Sequence, residues 1–153
     1  MEIKTIQAVN AYNELKTLKL STIDDETMLK IWGIIKKLRP FAEEYNKDKE
    51  DAKTSITDSK FEEMQNRLRT AKIREEMVKK GEHTLTDDDI KDVTEINAYF
   101  NAFSNKMDKC LKELDEANID VMVDKIPSDS FLKVLKANDK NFEMMEQFEW
   151  LLY

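Results

Sequence analysis

Glycine and proline are scarce in this sequence, with two of each among 153 residues. Tight turns, and the many short connections of a β-sheet protein, depend heavily on these two residues. Their scarcity therefore argues against a many-stranded fold and favours long helices joined by few loops. The length suits a single domain, residues 1–153, that is large enough to bury a core.

Cysteine and histidine occur once each, as Cys110 and His83. One cysteine cannot build the disulfide framework of a small secreted protein, and one histidine has no second histidine with which to form a zinc or di-iron site. Cys110 falls on an apolar helix seam, where a thiol behaves as a small hydrophobic group. His83 falls in a polar turn and is expected to be solvated. We therefore predict no catalytic residue, no metal and no cofactor at either position.

Long apolar runs and a basic charge balance are also missing. No stretch approaches the roughly 18 apolar residues of a membrane span. The first residues, MEIKTIQAVNAYNELK, have an acid at position 2 and no continuous apolar core, so we expect no signal peptide and a cytoplasmic protein. The net charge of −7 lacks the basic footprint that duplex binding usually needs.

Apolar residues do recur at helical spacing. A short amphipathic helix near the start is followed by three long segments whose apolar residues alternate at intervals of three and four, the coiled-coil pattern. Trp32, Ile34 and Phe41 widen the seam in the first half of the first long helix, so that half should be the more deeply buried. Pro40 is expected to kink this helix without ending it. The prediction is a mainly α protein: an antiparallel bundle of three long heptad-patterned helices with short terminal helices. The long helices should cover approximately 28–52, 61–78 and 93–114.

One stretch, ANIDVMVDKIP, has the alternating pattern of a strand instead. A lone strand leaves backbone N–H and C=O groups unpaired, so it needs a partner. We expect residues 119–126 to pair with about 2–6, giving a small two-stranded β-ribbon. Pairing with the same strand of a second subunit, or no pairing at all in an extended connector, are the alternatives.

Two blocks of opposite charge lie on either side of a turn in the middle of the chain. The turn, KKGEHTLTDDD, should end one helix at Gly81 and start the next with Thr86 and Asp89 as a capping box. The blocks should attract each other within one hairpin or between subunits. The rival interpretation is a nucleic-acid contact through 67–80, although no aromatic residues are interleaved there for stacking. The basic block holds Arg67, Arg69, Lys72, Arg74, Lys79 and Lys80, and the acidic block holds Glu82, Asp87, Asp88, Asp89, Asp92 and Glu95.

The last thirteen residues, NFEMMEQFEWLLY, carry more large apolar side chains than one helical face can bury. We hypothesise that the surplus forms a docking patch for a second copy or for another protein, with Trp150 as its anchor. The candidate partner-binding residues are Phe142, Met144, Met145, Phe148, Trp150 and Tyr153.

Three segments resemble a family of small helical proteins encoded by phages and prophages. They are IKTIQAVNAYNELKTL, KIWGIIKKLRPFAEEYN and LDEANIDVMVDKIPSDSFLKVLKAN, at the two ends of the chain. The resemblance implies a phage or prophage gene product acting in the cytoplasm of a bacterial host, in virion assembly or as an accessory factor. The resemblance implies no enzymatic activity and assigns no functional residue in this chain.

The function predicted from the sequence is therefore non-catalytic binding to proteins, to a second copy in a homo-oligomer or to another phage protein. A small regulator that contacts nucleic acid through 67–80 is the alternative. A metal-dependent enzyme is the least favoured class, because the acids at 87–89 lack the spacing of a calcium loop and suit a helix start instead.

Overall fold

The computed structural model describes residues 1–153. The elements run in the order β1 (Glu2–Lys4), α1 (Thr5–Leu15), α2 (Asp25–Ile56), α3 (Phe61–Lys79), α4 (Asp87–Glu116), β2 (Asn118–Asp120), α5 (Ser128–Ala137) and α6 (Glu143–Gln147), followed by a 3₁₀ turn over Glu149–Leu151. The predicted helical bundle with a small β-ribbon is confirmed. None of these helices combines the length and the apolar character that crossing a bilayer demands.

The residues group into two compact units. Unit 1 comprises Met1–Asp48 and Glu113–Tyr153, and unit 2 comprises Lys49–Lys112. The single domain over 1–153 stays a prediction. Helices α2 and α4 contribute residues to both units.

The β-ribbon of unit 1 pairs within the chain. Strands β1 and β2 are antiparallel, with Ile3 opposite Ile119 in the register. The ribbon is shorter than predicted, because the Lys4 N–H donates to Oε1 of Gln7 at 2.9 Å and the helix α1 begins at once. Beyond β2 the chain turns to a different partner: Ile126 forms a parallel bridge with Leu152. The expected ranges 2–6 and 119–126 are thus corrected to 2–4 and 118–120.

The core of unit 1 is formed by α1, α2, α5 and the C-terminal segment. Helix α1 brings Ala8 and Ala11, both fully buried, and such small side chains allow close contact between helices. Phe131 and Phe148 meet edge to face with their ring centroids 6.0 Å apart. The largest fully buried side chains are Phe131, Phe148, Leu15, Ile31, Ile34, Leu38, Ile126, Leu135, Leu151 and Val134 in unit 1, and Ile96 in unit 2.

Helix α2 buries one face and exposes the other. Its buried positions include Ile31, Ile34 and Leu38, and Pro40 lies inside the helix, which continues to Ile56 as predicted. The first half of α2 is the more deeply buried, as predicted, since all its buried residues lie before position 46. Ile34 belongs to this core, but burial of Trp32 is wrong, because 58% of that residue is exposed. Position 32 is one residue, or 100°, around the helix from Ile31, and therefore points away from the core.

Unit 2 contains the hairpin formed by α3 and α4, and it has a thin core. Met64 is the one buried residue of α3 and Ile96 the one buried residue of α4. Phe61 packs against Phe100 and Phe103 with ring centroids 6.1 and 5.0 Å away. The apolar seam predicted for α4 exists, but Phe100, Phe103 and Cys110 are only half-buried.

The turn between α3 and α4 follows the sequence prediction. Helix α3 ends at Lys79, and Gly81 takes a positive φ of 73°, a conformation that favours glycine. The capping box is formed in both directions. The Thr86 N–H donates to Oδ2 of Asp89 at 3.0 Å, and the Asp89 N–H donates to Oγ1 of Thr86 at 3.2 Å.

Candidate protein-interaction surfaces

Ion pairs fix the register of the hairpin in unit 2. Nη2 of Arg67 lies 2.5 Å from Oδ1 of Asp92 and 2.9 Å from Oε2 of Glu95. Nη2 of Arg74 lies 3.0 Å from Oδ2 of Asp92, and its Nη1 pairs with Asp89. The predicted attraction between the basic and acidic blocks is therefore realised within one hairpin. Because the arginines lie on α3 and the carboxylates on α4, sliding one helix along the other would break these pairs together.

These contacts lower the pKa values of the carboxyl groups of Asp89 and Asp92. The Thr86 backbone N–H, followed by His83 and Arg74, holds the pKa of Asp89 far below its usual value. The hydrogen bond from Arg67 is the main cause of the lowered pKa of Asp92. His83 contributes through Nε2, which lies 2.9 Å from Oδ2 of Asp89. The solvated turn histidine expected from the sequence is in fact part of this polar cluster.

The same contacts weaken the case for nucleic-acid binding through 67–80. Arg67 and Arg74 already hold carboxylates of α4, and Lys79 lies 3.3 Å from Glu75 on its own helix. Binding a phosphate would require each paired cation to give up an acidic partner. The exposed cations with no such ion pair are fewer than the sequence suggested, and Arg69 and Lys80 are two of them.

An apolar groove runs along the α3–α4 hairpin in unit 2. It has a volume of about 400 Å³. Leu85 and Val93 remain 48% and 38% exposed, although both are large apolar side chains. The lining residues, which we call the hairpin groove, are Leu68, Ala71, Lys72, Arg74, Glu75, Val78, Leu85, Val93 and Asn97.

The hairpin groove was not singled out from the sequence, although its signal is present there. Leu68, Ala71, Glu75 and Val78 repeat at intervals of three and four, within the pattern that predicts the helix over 61–78. The structure confirms that these residues share one side of α3, since all of them line the groove. Periodicity identifies such a face but does not tell whether another element of the chain covers it.

The C-terminal segment differs from the single helix that the sequence suggested. Helix α6 covers only Glu143–Gln147, and a 3₁₀ turn follows it. Met144, Phe148 and Leu151 are spaced four and three residues apart, and they enter the core of unit 1 together with Leu152. Met144 and Phe148 are therefore removed from the candidate partner-binding residues.

Three of the remaining candidates, Phe142, Met145 and Tyr153, line an open groove of about 590 Å³. Phe142 and Tyr153 are exposed, Met145 is half-buried, and Glu146 and Glu149 line the same groove. Trp150 is half-buried, and its Nε1 is enclosed without a hydrogen-bond partner. Trp150 does not line this groove. The docking patch predicted there stays a prediction for Phe142, Met145, Trp150 and Tyr153.

Titratable side chains form no constellation with an evident chemical role. No three His, Cys, Asp or Glu side chains are arranged to hold a metal ion. In unit 1 the Tyr45 hydroxyl donates to Oδ1 of Asp115 at 2.5 Å, and burial together with this bond raises the pKa of Tyr45 to about 12. Such a hydroxyl is protonated at neutral pH, and its bond to Asp115 joins α2 to α4 within unit 1.

Comparisons with protein-family models, with curated proteins and with solved structures give no match for this chain.

Proposed function

We propose that this protein acts without catalysis, by binding an amphipathic α-helix of another protein in the hairpin groove. The observation that carries the proposal is the apolar lining of this groove, which unit 2 itself leaves open. Two antiparallel helices present a groove into which a third helix packs, and apolar anchors at i, i+3 and i+7 are the usual mode of such binding. Leu68 and Val78 are ten residues apart on α3, a span of about 15 Å, or nearly three turns of a bound helix.

The charges around the hairpin groove define the partner further. Lys72 lies at the groove, is exposed, and belongs to no ion pair of the chain. Glu75 is held by Lys79 at 3.3 Å, so its charge is already balanced. The partner helix should therefore carry an apolar face flanked by acidic residues. Steering by such charges contributes to orientation and association rate more than to affinity.

The biological setting belongs to the same proposal. The resemblance of both chain ends to phage and prophage proteins supports a phage-encoded factor acting in the bacterial cytoplasm, in virion assembly or as an accessory protein. The partner would then be another protein of the same phage. The products of the neighbouring genes are the first candidates for this partner.

The test is to purify the product of each neighbouring gene and to measure its binding to this protein by isothermal titration calorimetry. Val93→Asp and Leu85→Asp place a charge in the groove at exposed positions, so both variants should fold. For a product that binds, each substitution should weaken binding at least tenfold. Met122→Asp alters an exposed apolar residue of unit 1 and serves as the matched control. Binding that survives both groove substitutions, or that is lost equally in the control, would refute the proposal.

The alternative, a regulator that contacts nucleic acid through 67–80, requires a different test. Reversing the charge of Arg67 or Arg74 would remove the ion pairs between α3 and α4, so a loss of DNA binding in such a variant could not be assigned to a lost phosphate contact. Arg69→Glu and Lys80→Glu alter exposed cations outside the ion pairs. We expect no mobility shift of duplex DNA at physiological salt. A shift that weakens with salt and disappears in these two variants would favour the regulator.

A further inference from the structure

Helix α2 carries an exposed apolar patch on the side opposite the core of unit 1. Leu29 and Trp32 are 63% and 58% exposed and lie three residues apart, so they are neighbours on one helical face. Scattered exposed apolar residues are ordinary on protein surfaces. An exposed tryptophan beside an exposed leucine is less so, because tryptophan is the residue most enriched among the anchors of protein interfaces.

Gly33 lies beside this patch, in the interior of α2. Glycine weakens a helix interior relative to alanine, so α2 by itself gains nothing from it. No packing within the chain requires it either, because a Cβ at Gly33 would meet no atom within 4 Å beyond the local helix backbone. The missing side chain is explained if the backbone of another helix approaches α2 closely at this point.

Charges of opposite sign flank the patch symmetrically. Asp25, Trp32 and Arg39 follow each other at intervals of seven residues, so they form one stripe along the helix. Asp25 and Arg39 are exposed, and neither takes part in an ion pair of the chain. Their neighbours Glu26 and Lys37 differ, since they pair with Lys30 and with Asp124.

We propose that this face of α2 binds the same face of a second copy of the chain, with the two helices antiparallel and crossing at Trp32. A two-fold axis through Trp32 places Asp25 of each copy opposite Arg39 of the other, because both lie seven residues from the axis. Self-complementary surfaces of this kind are what a two-fold dimer requires. The gap at Gly33 accommodates the Trp32 ring of the second copy.

Charge complementarity selects a second copy over an unrelated helix. Along α2 the stripe runs from acidic Asp25 through apolar Trp32 to basic Arg39. In an antiparallel copy this order is reversed, so each charge lies opposite one of the other sign. Lys36 adds to the basic half and lies over the Trp32 ring, with its Nζ 5.3 Å from the ring centroid. Glu43 lies on the same face one turn beyond Arg39. The pairing places it opposite position 21, before the first residue of the partner's α2, so it faces no acid of that helix.

A single helix–helix contact is small, so we expect weak association, in the micromolar range or above. Sedimentation velocity over a concentration series should show a monomer–dimer equilibrium. Trp32→Ala should weaken it by about 30-fold, as removal of a central interface anchor does. Gly33→Leu should abolish it while leaving thermal stability unchanged or higher, because the added side chain has free space in the monomer. Met122→Ala, at another exposed apolar position, should change nothing.

Charge exchange tests the antiparallel arrangement directly. Asp25→Lys and Arg39→Glu should each weaken the homodimer, because each brings like charges together twice. An equimolar mixture of the two single variants should form a heterodimer at least as readily as the unaltered chain, since both contacts are then attractive. Far-UV circular dichroism of each variant shows that the fold is retained. A chain that stays monomeric at millimolar concentration, or a dimer indifferent to Trp32→Ala and to both charge reversals, would overturn the proposal.

Discussion

Phe148→Ala is predicted to destabilise unit 1 strongly. Phe148 is 1% exposed and meets Phe131 edge to face at 6.0 Å. Truncation of a fully buried phenylalanine costs about 3–5 kcal/mol, of which loss of the aromatic pair accounts for about 0.5–1.5 kcal/mol. The upper half of this range is expected, because both rings are fully enclosed and the cavity cannot fill with water without hydrogen-bonding partners.

Urea unfolding followed by tryptophan fluorescence measures this effect. Trp32 and Trp150 both belong to unit 1, so fluorescence reports on the unit in which Phe148 lies. With a slope of about 2 kcal/mol per molar urea, the midpoint should fall by roughly 2 M.

Phe142→Ala is the matched control, since it alters the same residue type in the same segment at 64% exposure. Its effect should stay within about 0.5 kcal/mol. Equal costs for the two variants, or an unchanged midpoint for Phe148→Ala, would show that the C-terminal segment is not part of the core.

Three further predictions concern unit 2, for which circular dichroism at 222 nm is the measurement, since both tryptophans lie in unit 1. Phe103→Ala should cost about 1–3 kcal/mol, less than Phe148→Ala, because Phe103 is only half-buried; a larger cost would contradict the thin core. Gly81→Ala should cost about 1–2 kcal/mol from its positive φ alone, and Gly81→Asn less, since asparagine tolerates this conformation; equal costs would point to a clash instead. The folded-state pKa values of Asp89 and Asp92 lie below the ordinary 3.8. The stabilisation that these two ionised carboxylates give the folded state is therefore present above about pH 4 and is lost as the pH falls through their folded-state pKa values. Unit 2 should then become less resistant to urea between pH 5 and pH 2, and Asp92→Asn should flatten this pH dependence.

The helices and their ends could be predicted from the sequence because local signals specify them. The capping box at Thr86 and Asp89 and the glycine at 81 act within a few residues of the helix ends that they determine. The within-chain pairing of the ribbon was also predictable, since the chain offered only one other extended segment. The ends of its strands were not, because the competing partners, Gln7 in α1 and Leu152 at Ile126, depend on tertiary structure.

Burial was the weaker part of the sequence prediction. A helical repeat shows which residues share a face, but the covering element must be found elsewhere in the chain. The apolar repeat of α3 begins in the core with Met64, but from Leu68 onward it lines an open groove. The C-terminal segment shows the opposite error: Met144 was expected to stay outside the core, and it is buried on the same face as Phe148 and Leu151.

The two proposed surfaces use different physical features of the chain, so each can fail without the other. The hairpin groove belongs to unit 2, whose register rests on the arginine–carboxylate pairs between α3 and α4 and not on a large core. The α2 face belongs to unit 1, where the opposite side of the same helix is anchored by Ile31, Ile34 and Leu38. A substitution at Trp32 therefore leaves the groove unchanged, and a charge at Val93 leaves the α2 face unchanged. Loss of self-association and loss of partner binding in separate variants would assign one role to each unit.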